Sequence, residues 1–161
     1  MTGDAAPGRQ LAQFLEREQD SLQRLRDVLS RERRALLEAD VPALEAATAE
    51  KHRALQQQAE AVARRRDYLQ RAGFADTAQG LTDCIAGCDD HSQLRAVQAA
   101  LQTLARTCRD ANRDNGRLIS RKQQQTRGAL DILRRSDGAA PTYTGGGNAV
   151  AAASGRLLGK A

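Results

Sequence analysis

The chain has 161 residues, of which 40% are hydrophobic and 28% charged, but only 2% are aromatic. A core without aromatic side chains is built from leucine, isoleucine, valine and alanine. This composition favours helices packed on helices over β-sandwiches and barrels. The net charge of +5 is uneven, because residues 93–135 carry ten Lys or Arg against three Asp or Glu. That basic segment allows an acidic partner without requiring one.

The sequence carries no recognisable export or membrane signal. No stretch approaches the roughly 18 consecutive apolar residues of a membrane span, and no basic region followed by an apolar run opens the chain as a signal peptide would. The three cysteines, Cys84, Cys88 and Cys108, do not have the spacing of a disulfide framework. We therefore expect a cytoplasmic protein with reduced thiols and no membrane insertion.

The first 71 residues predict a helical hairpin. Residues 1–8 are expected to be disordered, and a first helix follows over 9–38. Asp40 is a good N-cap and Pro42 suits a first helical turn, so a second helix is predicted over 41–71, antiparallel to the first. The heptad seam of the first helix (its a and d positions) is Leu11, Leu15, Glu18, Leu22, Leu25, Leu29, Glu32 and Leu36; that of the second is Leu44, Thr48, Lys51, Leu55, Gln58, Val62, Arg65 and Leu69.

Gly73 is expected to cap the second helix. A short third helix is predicted over 76–88 and a long fourth one over 92–135. The heptad register of the fourth helix continues without interruption. Its seam is Leu94, Val97, Leu101, Leu104, Cys108, Ala111, Asn115, Leu118, Lys122, Gln125, Ala129 and Ile132. Because their seams are the most apolar, we expect the first and fourth helices to be the main packing partners.

The predicted architecture is an all-α, elongated antiparallel helical bundle of three long helices and one short one. The bundle domain covers residues 9–135. The remaining residues, 136–161, contain Pro141 and the glycines 145–147, and this composition predicts a flexible tail.

The apolar stripe of the fourth helix widens towards its end. Ile119, Leu130 and Leu133 each lie one position beyond a seam residue. Two interpretations stay open: a broad core-facing stripe in a four-helix arrangement, or a surface that receives a partner helix. In the second case these three side chains are more exposed than Leu101 and Leu104.

The Asn115–Gly116 pair is unusual in a helix. The heptads continue across it, so a continuous helix is favoured over a break. A helix-interior glycine costs about 1 kcal/mol relative to alanine, which suggests the close approach of a neighbouring backbone or a kink. Asn115 either sets the register, as buried asparagine does in coiled coils, or is an ordinary polar seam residue.

The sequence contains no pattern for catalysis or cofactor binding. Cys84, Cys88 and His91 match no common zinc module, so core thiols are expected instead of a metal site. No nucleophile motif, phosphate loop or dinucleotide fingerprint occurs. The arginines of the fourth helix alternate with aspartates and lack an aromatic residue for stacking, which argues against nucleic-acid binding.

The C-terminal half resembles the FlgN family of flagellar export chaperones. The resemblance lies in three segments: residues 112–119 (NRDNGRLI), residues 129–133 (ALDIL), and Thr142–Tyr143 followed by glycines. The N-terminal half is similar more loosely, through its leucines and through Glu32, Asp40 and Lys51. The similarity extends over residues 10–147.

This resemblance implies a cytoplasmic chaperone without catalytic activity, cofactor or metal. Its clients would be the hook–filament junction proteins FlgK and FlgL, which it would keep from assembling prematurely and deliver to the export gate protein FlhA. The partner-binding residues would be Asn112, Asn115, Gly116, Leu118, Ile119, Leu130, Leu133 and Tyr143. The alternative is a structural coiled-coil adaptor or a basic nucleic-acid-associated helical protein, and self-association stays open in either case.

Overall fold

Four α-helices make up the part of the chain that the computed structural model describes, residues 7–137. They are α1 (Pro7–Glu38), α2 (Val41–Arg71), α3 (Ala78–Ala86) and α4 (His91–Asp137), with no strand between residues 7 and 137. The prediction of an all-α helical bundle is confirmed. The helix ends lie within two residues of those predicted, and α4 continues through Asn115 and Gly116. Residues 1–6 and 138–161, which include most of both predicted disordered termini, lie outside the described residues.

A tight turn joins α1 to α2. Ala39 adopts a positive φ of 56°, so that the amide of Asp40 can bond back to the carbonyl of Ala35 at 3.0 Å and close the C-terminus of α1. The carboxylate of Asp40 then accepts the amide of Ala43 at 3.0 Å and caps α2. The predicted N-cap is therefore correct, and the turn reverses the chain within two residues.

Small side chains line the contact between α1 and α2. Ala35 and Ala47 are both buried and line one surface cleft between the helices, and Val28 and Ala54 are buried and line the next. These positions recur at heptad steps along the hairpin, and further along it the rings of Phe14 and Tyr68 meet with their centroids 5.3 Å apart and their planes tilted by 38°. Short side chains let two helices approach closely, which explains why the backbones of α1 and α2 lie nearer to each other than those of any other described helix pair.

The predicted packing of α1 against α4 is present, since leucines of α1 form an apolar cluster with Leu101 and Cys108 of α4, although the backbone of α1 lies closest to that of α2. The close approach of α1 and α2 corrects one expectation. Within α2, the buried side chains are Ala47, Ala54 and Leu69, whereas the predicted seam residue Leu55 is 43% exposed. The alanines, each one position before a predicted seam residue, face α1 because they leave the least distance between the backbones.

Two apolar clusters form the core of the described chain. The first joins Leu11 and Leu15 of α1 to α3 and the start of α4. The second joins Leu25 and Leu29 of α1 to Leu101 of α4. Since α3 contributes Leu81, Cys84 and Ile85 to the first cluster, this short helix closes the open end of the hairpin.

The chain divides into two units, residues 1–120 and 121–161. The first contains both apolar clusters. The described part of the second is the last stretch of α4, in which every side chain from residue 123 to residue 136 is exposed. None of the helices described over residues 7–137 is long and apolar enough to span a membrane.

Candidate partner-binding surface

Two buried carboxylates of α1 hold the hairpin in register. Glu18 and Glu32 lie two heptads apart and are each only 1% exposed. Arg65 pairs with Glu18 at 2.5 Å and Lys51 pairs with Glu32 at 2.6 Å. The two cations also lie two heptads apart in α2, so both pairs form in one antiparallel register. The polar seam positions that the sequence reveals in the two helices are thus partners of each other.

Asn115 of α4 also forms hydrogen bonds with this buried polar network. Its amide nitrogen donates to Glu32 Oε2 at 2.8 Å and to the carbonyl of Leu29 at 2.9 Å. The side chain is 1% exposed, and its Oδ1 is a buried acceptor without a hydrogen-bond partner in the described structure. Asn115 therefore faces α1 and not a partner, which favours the interpretation that it sets the register of α4.

Gly116 lies on the exposed side of α4. A Cβ atom built on Gly116 would meet nothing within 4 Å apart from its chain neighbours and the backbone of its own helix. The expectation that a neighbouring backbone of this chain approaches Gly116 is therefore wrong for the described residues, and α4 runs through this position without interruption.

Replacing Gly116 with alanine is expected to raise the free energy of unfolding by about 1 kcal/mol, because alanine is the better helix former and the space is open. Urea unfolding followed by circular dichroism measures the change. The matched control is Gly80→Ala, whose Cβ would lie 2.0 Å from the carbonyl oxygen of Ala75 and is expected to destabilise the fold. A loss of stability in Gly116→Ala would contradict the prediction.

The seven predicted partner-binding residues other than the buried Asn115 fall into three groups. Asn112 and Gly116 are exposed on the first unit, while Leu118 and Ile119 are half-buried there. Leu130 and Leu133 are 47% and 58% exposed on the second unit. Tyr143 lies outside the described residues.

The prediction that the residues of the widened stripe are more exposed than Leu101 is confirmed for Leu130 and Leu133. Leu130 and Leu133 are far more exposed than Leu101, which is 9% exposed. Ile119 departs from this prediction, because it is half-buried, as Leu104 is. The stripe is therefore exposed only towards the end of α4.

Ile132 is another seam residue that lies outside the core. Its seam position predicts that it packs in the bundle, yet it is 69% exposed, more than Leu130 or Leu133. These three side chains form what we call the α4 patch. An exposed aliphatic cluster on a helix is suited to receiving the apolar face of another helix.

The three thiols are core side chains. Burial raises the pKa of Cys84, Cys88 and Cys108, which keeps them protonated and weakly reactive at neutral pH. The Cys108 thiol lies 3.4 Å from the carbonyl of Leu22 and donates to it. Over residues 7–137, no group of three or more His, Cys, Asp or Glu side chains is arranged to hold a metal ion.

Comparison with known proteins identifies the family. A sequence-family model described as FlgN protein matches residues 8–151. Among solved structures, the chain is similar to a Pseudomonas aeruginosa protein described as a flagella synthesis protein, FlgN, with a TM-score of 0.63 and 26% sequence identity. The match covers 77% of this chain and 95% of that one. No curated protein matches the chain at a significant level.

Proposed function

The chain belongs to the FlgN family, and we propose on that premise that it is a cytoplasmic flagellar export chaperone for the hook–filament junction proteins FlgK and FlgL. It binds their terminal helices, prevents premature assembly and delivers them to the export gate protein FlhA. The family is one of flagellar chaperones, not of enzymes, so binding and release are its activity.

The observation that carries this proposal is the α4 patch. Leu130, Ile132 and Leu133 are 47%, 69% and 58% exposed. A fully buried aliphatic side chain contributes about 1.5–3 kcal/mol, so a helix laid over this cluster gains several kcal/mol before the costs of ordering are subtracted. The terminal helices of filament-type proteins must bury an apolar face on assembly, and such a face is what this surface can cover beforehand.

Calorimetric titration of the full chain with terminal segments of FlgK and FlgL tests the proposal. We expect binding to both, and none to a helical segment of unrelated sequence and equal length. A structural adaptor would bind neither segment. A nucleic-acid-binding protein would instead bind an oligonucleotide with steep salt dependence.

Tyr143 is proposed to take part in docking at FlhA or in closing over the client, as the family resemblance implies. Replacing Tyr143 with alanine is expected to leave the unfolding midpoint unchanged, because the sequence around it is that of a polar tail, and to weaken FlhA or client binding measurably. The control is Tyr68→Ala, which removes the ring that meets Phe14 and should lower stability. Unchanged affinity of Tyr143→Ala for both FlhA and the clients would refute this role.

A further inference from the structure

Arginine side chains border the α4 patch. Arg127 and Arg134 lie three residues before and four residues after Leu130, so both are neighbours of that leucine on the helix surface. Arg135 lies three residues after Ile132 in the same way. All three arginines are exposed. Over residues 121–137, the end of α4, the chain carries five Lys or Arg against two acidic residues, Asp131 and Asp137, a net charge of +3.

Among the side chains described over residues 7–136, no carboxylate lies within 4 Å of these arginines as an ion-pair partner. The ion pairs found within α4 join Arg113 to Asp110 and Asp114, and Arg117 to Asp114. None of them reaches Arg127, Arg134 or Arg135. Asp131 lies within one helical turn of all three arginines and offsets part of their charge, but the surface around the α4 patch keeps a net positive charge.

We infer that the α4 patch recognises an amphipathic helix whose apolar stripe is flanked by glutamate or aspartate. This inference rests on the proposed function and adds a charge criterion to it: the apolar stripe supplies affinity, and the flanking carboxylates select the client. Helix pairs use the same arrangement when charges beside an apolar seam determine which partners associate.

Two rival occupants are disfavoured. A second copy of this helix would place arginines against arginines, which is repulsive. An anionic membrane would attract the arginines, but binding at a membrane surface also scales with the apolar area that is buried, and the α4 patch offers three aliphatic side chains and no aromatic one. A peptide helix with acidic flanks satisfies both the apolar and the charged part of the surface.

Three designed helical peptides with one common leucine stripe test the inference. Their flanking positions carry glutamate, glutamine or lysine, and each is titrated into the full chain at low and high salt. We expect the glutamate peptide to bind about tenfold more tightly than the glutamine peptide, as several exposed ion pairs together allow. The lysine peptide should bind most weakly, and high salt should reduce all these differences.

The variant Arg127→Glu with Arg134→Glu should reverse this order, so that the lysine peptide binds best. Arg106→Glu with Arg109→Glu is the matched control, because it makes the same change in net charge at two exposed positions of the first unit. It should keep the preference for glutamate. If Arg127 and Arg134 only stabilised the fold, replacing them would weaken the binding of all three peptides alike and would not reverse the order of their affinities.

Equal binding of the three peptides overturns the inference. The inference is also overturned if the chain binds no peptide but binds phosphatidylglycerol vesicles, and if the variant Arg127→Glu with Arg134→Glu loses that vesicle binding. If the chain prefers the glutamate peptide but binds neither the FlgK nor the FlgL segment, the charge criterion stands and the proposed clients are wrong. If it binds those segments but shows no preference among the designed peptides, the proposed function stands and the inference fails.

Discussion

Replacing Lys51 with methionine is expected to lower the free energy of unfolding by about 3 kcal/mol, because it removes the ammonium group from a buried carboxylate. Glu32 is 1% exposed and accepts the Lys51 ammonium at 2.6 Å. Methionine keeps most of the aliphatic stem of the lysine, so packing changes little. Glu32 would retain only the amide of Asn115 as a donor to its side chain, which leaves its charge largely uncompensated.

Urea unfolding monitored at 222 nm measures this loss. The control is Arg26→Met, since the ion pair of Arg26 with Asp27 is 50% and 64% exposed and such surface pairs contribute about 0–1 kcal/mol. The double variant Glu32→Leu, Lys51→Met should recover most of the stability, because it removes the buried charge together with its partner. Equal losses in Lys51→Met and Arg26→Met would show that the buried pair is not a determinant of the fold.

Much of the fold can be predicted from the sequence because its local signals agree. The heptad leucines of α1 and α4 and the Asp40–Pro42 start of α2 all indicate long helices. The continuous seam predicts that α4 runs through Asn115 and Gly116, and it does. Hydrophobic periodicity and helix capping depend on residues that are close together in the chain, so they can be identified from a single sequence.

The packing within the hairpin could not be predicted in the same way. A heptad seam is identified in a sequence by its most hydrophobic residues, so the sequence predicts that Leu55, and not Ala54, faces α1. In the structure Ala54 is 5% exposed and Leu55 is 43% exposed, because α1 and α2 gain more from a close backbone approach between small residues. Which face of α2 is buried depends on the residues of α1 opposite it, and no local pattern in α2 records them.

The candidate site was partly visible in the sequence. Leu130 and Leu133 were identified as an excess of apolar residues beyond the seam, and their exposure agrees with that interpretation. Asn115 was assigned to partner binding by resemblance, whereas its hydrogen bonds run to Leu29 and Glu32. The exposure of Ile132 cannot be predicted from the sequence, because a seam position looks the same whether or not another helix of the chain covers it.

Replacing both Leu130 and Leu133 with glutamine is expected to weaken the binding of FlgK and FlgL segments by about tenfold to a hundredfold. The two side chains are about half exposed, so each gains about half of the 1.5–3 kcal/mol of full burial when a client covers it. Their joint loss of about 1.5–3 kcal/mol corresponds to that range. Glutamine is nearly as good a helix former as leucine, so α4 should keep its helicity.

The matched control changes two equally exposed aliphatic residues elsewhere. Leu37 and Val41, next to the α1–α2 turn, are 62% and 61% exposed, and replacing both with glutamine removes a similar apolar surface from the first unit. We expect both double variants to unfold within about 0.5 kcal/mol of the unmodified chain, because surface substitutions have small effects. Only the Leu130→Gln, Leu133→Gln variant should lose client binding in calorimetric titration. If the Leu37→Gln, Val41→Gln variant loses binding instead, the client-binding surface lies at the α1–α2 turn and the α4 patch has another role.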